Sequence, residues 1–202
     1  LNVDSDVEFG CQNISDQSEG SYTGEISINM LENINCKWVI IGHSERRYRF
    51  NESNEKISEK FRKVYYSNLN PILCIGETLE EQKSGKIEKI FTAQLESVFQ
   101  KIDFSIEKDI LIAYEPVWAI GTGTAASPDD AEDVNKFIRD ELGSIFGTLQ
   151  VSKTPILYGG SVTENNIADF LGMPNVNGAL IGGASLNSEN FTEILRIACN
   201  LT

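Results

Sequence analysis

The sequence is short of several residue types, and each shortage narrows the possible functions. It has one histidine, and its four cysteines are scattered without the close pairs typical of metal sites, so we expect reduced thiols and a cytoplasmic protein. No apolar run approaches the roughly 20 residues that a membrane-spanning helix needs. Basic residues number 17 against 30 acidic ones, and the resulting net charge of −13 argues against binding to nucleic acid or to an anionic membrane.

The remaining composition is that of an ordinary globular protein. With 41% apolar and 23% charged residues, the 202 residues are enough for the core of one domain. A small anionic substrate remains compatible with the acidic balance, because a local cluster of backbone amides can bind phosphate. No secretory signal is visible, and Leu1 is not an initiator methionine, so we expect an N-terminal part to be missing from this chain.

Short β-branched runs alternate with longer amphipathic stretches along the chain. The strand candidates are Val7–Gln12, Trp38–Gly42, Pro71–Ile75, Ile110–Tyr114, Pro155–Tyr158 and Ala179–Ile181, and the helix candidates are Gly24–Asn33, Asn54–Ser67, Ile87–Phe99, Asp129–Phe146, Asn165–Leu171 and Ser188–Cys199. The helix from Asp129 has the clearest predicted start, with Ser127 as its cap and Pro128 at its first position. Continuous apolar runs favour strands buried on both faces of a parallel sheet. The alternation predicts one α/β domain over residues 1–202. Six strand–helix units fit a doubly wound sheet and a barrel alike, and both place chemistry at the C-terminal ends of strands.

Two ionisable residues stand at such strand ends. His43, the only histidine, follows the second strand candidate, and Glu115 follows the fourth. A lone histidine is more often structural, but the segment after His43 could start a short helix, whose N-terminus would favour a neutral, hydrogen-bond-donating imidazole. A carboxylate at this place could merely pair with an arginine, but Pro116 stiffens the backbone beside Glu115 and Trp118 offers apolar cover.

Glycine segments follow the last two strand candidates. They are Gly159-Gly160-Ser161 and Gly182-Gly183-Ala184. Either segment alone is best explained by a tight turn. Together, after consecutive strands, they favour phosphate binding through loop amides, as is common in barrels.

A third glycine segment imitates a nucleotide-binding motif. Gly121-Thr122-Gly123-Thr124-Ala125-Ala126 fits the pattern G-x-G-x-x-A, with Glu141 at about the required distance. However, Pro116 to Ile120 separate the strand end from Gly121, so the tight strand-to-helix turn that binds a pyrophosphate cannot form. The segment is better interpreted as a loop that moves.

Taken together, these segments are very similar to the triosephosphate isomerase family. The matching stretches, in family order and spacing, are Gln12-Asn13, Tyr22-Thr23-Gly24-Glu25-Ile26-Ser27, Gly42-His43-Ser44-Glu45-Arg46-Arg47, Cys74-Ile75-Gly76-Glu77, Ala113-Tyr114-Glu115-Pro116-Val117-Trp118-Ala119-Ile120-Gly121-Thr122-Gly123, Tyr158-Gly159-Gly160-Ser161-Val162 and Gly182-Gly183-Ala184-Ser185-Leu186. The resemblance covers essentially the whole chain. It implies a (β/α)8 TIM barrel that interconverts dihydroxyacetone phosphate and glyceraldehyde 3-phosphate without a cofactor or a metal.

The resemblance also implies roles for individual residues. Glu115 resembles the base that moves a proton between two substrate carbons, and His43 resembles the neutral electrophile beside the carbonyl. Glu45 and Cys74 resemble supporting residues. The phosphate contacts implied are Gly121, in the lid formed by residues 116–126, and Ser161, Gly182 and Gly183. Thr23 resembles the loop-tip residue that enters the site of a second subunit, which implies a homodimer.

Two departures from the family stand out. Thr124-Ala125-Ala126 replaces the usual Lys-Thr-Ala at the end of the lid, which removes no reacting group. The family chain also begins with two further strand–helix units, the first with an Asn-x-Lys motif, and nothing before Gln12 matches it. We therefore expect this chain to hold about six of eight units and, by itself, to be poorly stable and nearly inactive. Another phosphate-handling barrel enzyme and a non-catalytic, truncated relative with a binding role are the alternatives.

Overall fold

The structure is a computed structural model, and it describes residues 7–104, 106–120, 125–146 and 151–201. The described residues form two compact units. The first unit draws on residues 1–73 and 97–110, and the second on residues 74–96 and 111–202. Among the residues described, no helix has the length and apolar character required to cross a lipid bilayer.

Strands and helices alternate through both units. The strands are β1 (Gly10–Cys11), β2 (Trp38–Ile41), β3 (Asn70–Ile75), β4 (Leu111–Tyr114), β5 (Ile156–Tyr158) and β6 (Gly178–Ala179). The helices are α1 (Ile28–Glu32), α2 (Ser44–Arg49), α3 (Asn54–Tyr65), α4 (Leu79–Lys83), α5 (Ile87–Phe99), α6 (Pro128–Phe146), α7 (Ile167–Leu171) and α8 (Ser188–Leu201), with short 3₁₀ helices at Val117–Ala119 and Gly183–Leu186. The six predicted strands are thus present. The predicted α/β organisation is confirmed.

The first unit contains β1, β2 and most of β3, and these strands are parallel. Gly10 is opposite Trp38, and Val39 is opposite Pro71. The apolar core includes Phe61 of α3, whose ring meets that of Phe99 edge to face with centroids 5.2 Å apart. Helix α3 thereby packs one face into the core of the first unit. Its first residue comes shortly after His43 and helix α2 in the chain.

The second unit contains β4, β5 and β6, and these strands are also parallel. Ala113 is opposite Leu157, and Tyr158 is opposite Ala179. Two aromatic pairs fill the core of this unit: Phe91 meets Tyr114 edge to face, and Tyr158 stacks on Phe170 with centroids 4.0 Å apart. Because the strands are parallel, their C-terminal ends lie along one edge of the sheet.

Helix starts follow local capping signals. The predicted start of α6 is confirmed, since the Asp130 amide donates to Ser127 Oγ over 3.1 Å and Pro128 is the first helical residue. Helix α4 was not predicted, although Thr78 and Glu81 form the reciprocal hydrogen bonds of a capping box. A Thr-x-x-Glu pattern was therefore the signal that would have found this helix.

Candidate active site

His43 lies between β2 and α2 and occupies the cap position of that helix. Its Nδ1 accepts a hydrogen bond from the Glu45 amide over 3.3 Å. A neutral imidazole whose Nδ1 accepts a hydrogen bond carries its proton on Nε2. The short helix expected after His43 is present, and its first turn supplies this hydrogen bond to Nδ1.

Glu45 lies in the first turn of the same helix, on its exposed side. Its carboxylate is 3.5 Å from the guanidinium of Arg49, and 52% of its side chain is exposed. An acidic residue in the first turn stabilises a helix through the helix dipole. Within the first unit, the structure therefore supports Glu45 as a residue that stabilises the start of α2.

Glu115 lies at the end of β4 in a closely packed place. The residue is 2% exposed, and its amide donates to the Ile75 carbonyl oxygen over 2.8 Å. A Cβ atom at Gly76 would lie 1.9 Å from the Glu115 carbonyl oxygen, and one at Gly159 would lie 3.1 Å from Glu115 Cγ. Glycines at the ends of β3 and β5 therefore leave the space that Glu115 occupies.

Glu77 is a buried carboxylate for which the sequence predicted no role. Its Oε1 accepts a hydrogen bond from Trp118 Nε1 over 2.8 Å and another from the Tyr114 hydroxyl over 3.2 Å. Its backbone carbonyl accepts from the Val117 amide. Burial raises the pKa of Glu77, only partly opposed by the hydrogen bond from Trp118, and Oε2 has no partner in the described part of the chain. Glu77 thus anchors the short helix that follows Glu115. Its position as a charged residue just after an apolar strand was the sequence signal that could have predicted this role.

Ser161 and Tyr158 hold the two sides of the segment after Glu115. Ser161 Oγ donates to the Ala119 carbonyl over 2.6 Å, and the Ala126 amide donates to the Tyr158 hydroxyl over 3.1 Å. Gly121, predicted to bind phosphate, lies outside the described residues. The residues on both sides of it are held by direct hydrogen bonds to the end of β5.

Gly182 and Gly183 follow β6 and are exposed. Apart from their chain neighbours, no described residue has a heavy atom within 4 Å of the position that a Cβ atom would take at either glycine. The Gly182 carbonyl accepts from the amide and the hydroxyl of Ser185, over 2.9 and 2.6 Å, which closes the turn into a 3₁₀ helix. Backbone groups here are accessible to a small ligand.

The predicted residues therefore fall into one set in each unit. Glu115, Ser161, Gly182 and Gly183 follow β4, β5 and β6, which are neighbouring strands of the second unit. His43 and Glu45 follow β2 in the first unit. In the described ranges, no three His, Cys, Asp or Glu side chains are grouped so that they could hold a metal ion.

Parallel strand–helix units with ionisable and glycine residues after the strand ends define the class of α/β enzymes that work at the C-terminal ends of their strands. Comparison with known proteins gives the particular family. The family model for triosephosphate isomerase matches residues 1–198. The chain belongs to the triosephosphate isomerase family.

Relatives from several bacteria are similar over nearly the whole chain. The triosephosphate isomerase of Hahella chejuensis is 46% identical over 195 residues, which are 96% of this chain and 77% of that protein. Those of Pseudoalteromonas translucida and Thermus thermophilus are each 44% identical over 196 residues, covering 97% of this chain and 78% of their own length. The chain thus spans somewhat more than three quarters of the length of these relatives.

Proposed function

We propose that this protein is an isomerase that interconverts dihydroxyacetone phosphate and D-glyceraldehyde 3-phosphate in glycolysis and gluconeogenesis. The observation that carries the proposal is family membership across residues 1–198, with relatives at 44–46% identity. The reaction shifts one hydrogen from carbon to carbon and another from oxygen to oxygen within the substrate, and it transfers no electrons to another molecule. We expect no cofactor.

We further propose that the chain contributes six strand–helix units to a single (β/α)8 barrel domain. The strands in each unit are parallel, neighbours in the chain are neighbours in the sheet, and a helix follows each strand. That order is the one found in eight-stranded barrels, which place their catalytic residues after the C-terminal strand ends.

In the proposed mechanism, Glu115 is the base. Its carboxylate removes a proton from one substrate carbon and returns a proton to the neighbouring carbon, while a second proton passes from the substrate hydroxyl to the former carbonyl oxygen, so the enzyme ends the cycle unchanged. The close packing of Glu115 against Gly76 and Gly159 supports this role, because proton transfer requires a carboxylate held at hydrogen-bond distance from the reacting carbon.

His43 is the proposed electrophile. Its Nε2–H would donate to the substrate carbonyl oxygen and stabilise the negative charge that develops there in the enediol(ate), a pairing with a carboxylate base that triosephosphate isomerases are known for. The hydrogen bond from the Glu45 amide to Nδ1 supports this role, because it keeps the donor proton on the opposite nitrogen. Glu45 would assist by stabilising the start of α2.

The substrate phosphate would be bound by backbone amides. Gly182 and Gly183 are open to a ligand, and Ser161 lies at the end of the neighbouring strand. Gly121 would add an amide from the lid over residues 116–126. Neutral amide donors explain how a chain of net charge −13 binds a dianion.

We also propose a homodimer formed through the loop that carries Thr23. Three large apolar side chains near Thr23 are exposed: Tyr22 (49%), Ile26 (43%) and Met30 (58%). A second copy of the chain would cover them. Within the described ranges no cysteine is in a disulfide bond. We propose the cytoplasm, a reducing compartment, as the location of the protein.

The direct test is an isomerisation assay on the purified full-length protein. We expect D-glyceraldehyde 3-phosphate to be converted to dihydroxyacetone phosphate. Solvent hydrogen should be incorporated at the substrate carbon to which Glu115 returns a proton. Binding of the triose phosphate without turnover would overturn the proposal and favour a binding role alone.

A further inference from the structure

The orientation of the His43 ring depends on a very short helix. Helix α2 has six residues, and helices of this length are not stable by themselves in water. The ring accepts its hydrogen bond from the first turn of α2, at the Glu45 amide. Any movement of α2 would therefore turn the ring or release its Nδ1.

Arg47 ties the start of this helix to the body of the first unit. Its Nε donates to the Gly42 carbonyl over 2.7 Å, and its Nη1 donates to Asn54 Oδ1 over 2.8 Å. The Gly42 carbonyl belongs to the peptide bond that enters His43, and Gly42 has the positive φ of 76° that this turn requires. Asn54 begins α3, whose Phe61 is fully buried. One guanidinium thus joins the peptide before His43 to a helix fixed in the core.

Arg46, the preceding residue, fixes the same helix from another side. Its Nε and Nη2 donate to Glu52 Oε1 over 2.9 and 2.6 Å, and the Glu52 amide donates back to the Arg46 carbonyl. Lys60 of α3 donates to the same carboxylate oxygen over 2.6 Å. Lys60 and Glu52 are 1% and 5% exposed, so this anchor is shielded from water.

We propose that Arg47 is a positioning residue for the isomerase reaction, which orients the His43 ring through the Gly42 peptide while the Arg46–Glu52 pair holds the rest of α2. The proposal rests on the proposed function, in which the ring must point its Nε2–H at the substrate carbonyl. Arginine is suited to the task because its planar fork reaches two acceptors in fixed geometry, whereas a lysine ammonium is a single point of charge.

The test compares Arg47→Lys with the wild-type protein. Charge is kept, but the double contact to Gly42 and Asn54 is lost. We expect kcat to fall about 10- to 100-fold, the usual cost of a misplaced catalytic group, with KM changed much less. Arg62→Lys is the matched control, because Arg62 is exposed on α3 and contacts none of these groups, and it should keep wild-type kinetics.

The second measurement observes His43 directly and needs no activity. His43 is the only histidine, so its imidazole nitrogen resonances are unambiguous in ¹⁵N NMR. We expect the wild type to show a neutral ring protonated at Nε2, and Arg47→Lys to show a shifted or mixed tautomer signal. Asn54→Ala removes only the hydrogen bond between Arg47 and Asn54, and it should shift the His43 signal in the same direction. This variant replaces Arg47→Lys in the test if Arg47→Lys does not fold.

Three outcomes separate the possibilities. Reduced kcat together with an altered His43 signal supports the proposal. Unchanged kcat, or unchanged His43 resonances in both Arg47→Lys and Asn54→Ala, overturns it. A wild-type protein without isomerase activity would refute the proposed function instead, and the NMR comparison would still decide whether Arg47 positions the ring.

Discussion

Gly76 and Glu115 are packed so closely that a Cβ atom at position 76 would lie 1.9 Å from the Glu115 carbonyl oxygen. Real contacts are never this short, so any other residue at position 76 would displace the backbone that carries the proposed base. The end of β3 and the end of β4 are therefore coupled through backbone atoms, which cannot rotate out of the way as a side chain can.

Gly76→Ala should destabilise the protein and lower its activity. We expect a loss of about 1–3 kcal/mol in the free energy of unfolding, the usual cost of overpacking, and a lower kcat because Glu115 moves. Denaturant unfolding and steady-state kinetics measure both effects. Gly143→Ala is the control: the nearest atom to its Cβ would be 3.9 Å away, and alanine is preferred within helix α6. If Gly76→Ala were as stable and active as Gly143→Ala, the close packing would be wrong.

In the full-length protein, Glu115→Ala should lower kcat by about 10²–10⁴, the range expected when a positioned general base is lost. The buried place left by the carboxylate is small, so the protein should remain folded, as circular dichroism would show. Glu96→Ala removes a carboxylate from the exposed face of α5 and should keep wild-type turnover. Equal turnover in the two variants would remove Glu115 from the mechanism.

Trp118→Phe should destabilise the protein by about 1–3 kcal/mol, because the buried Glu77 carboxylate loses its closest donor while the ring is retained. The effect should depend on pH. A carboxyl group whose pKa is raised by folding binds its proton more tightly in the folded state, so stability falls as pH rises from the usual glutamate range through the raised pKa. Losing the indole donor raises that pKa further, and the variant should therefore lose more stability than the wild type over this interval.

Thermal unfolding at a series of pH values measures the difference. Trp38→Phe is the matched control, since the Trp38 indole donates to Glu8 at an exposed position. A Trp118→Phe variant with the stability and pH profile of Trp38→Phe would contradict the role assigned to Glu77.

Glu52→Gln should destabilise the protein by about 3–5 kcal/mol, the cost of leaving a buried charge unpaired, because Lys60 loses its carboxylate. Burial acts to raise the pKa of Glu52, but the hydrogen bonds from Lys60 and Arg46 outweigh it and lower that pKa. A lowered pKa contributes stability above the unfolded-state value, and this contribution is lost as pH falls through the folded-state value. The variant should lack that part of the acid sensitivity.

Acid titration of stability in Glu52→Gln and in Glu193→Gln tests this expectation. Glu193 pairs with Arg196 on the exposed face of α8, so its replacement should change stability little. Similar losses in the two variants would show that the buried pair contributes no more than a surface one.

The predictions that the structure confirms best are those that rest on residues close together in the chain. The start of α6 was predicted from Ser127 and Pro128, since a capping hydrogen bond joins residues only three positions apart. The same kind of signal was overlooked at Thr78 and Glu81, and α4 was missed. Strand β1 covers Gly10–Cys11 where Val7–Gln12 was predicted, because a strand extends only as far as its neighbour pairs with it.

The sequence by itself determined the alternation of strands and helices and the position of His43 and Glu115 after strand ends, because each depends on residues close together in the chain, and it indicated the family through short motifs in a fixed order. Only the tertiary structure decided how these residues are held. Glu77 meets Trp118 across 41 positions, and Lys60 meets Asn13 across 47. Such contacts arise from the packing of parallel strands and their helices, and no pattern of neighbouring residues encodes them.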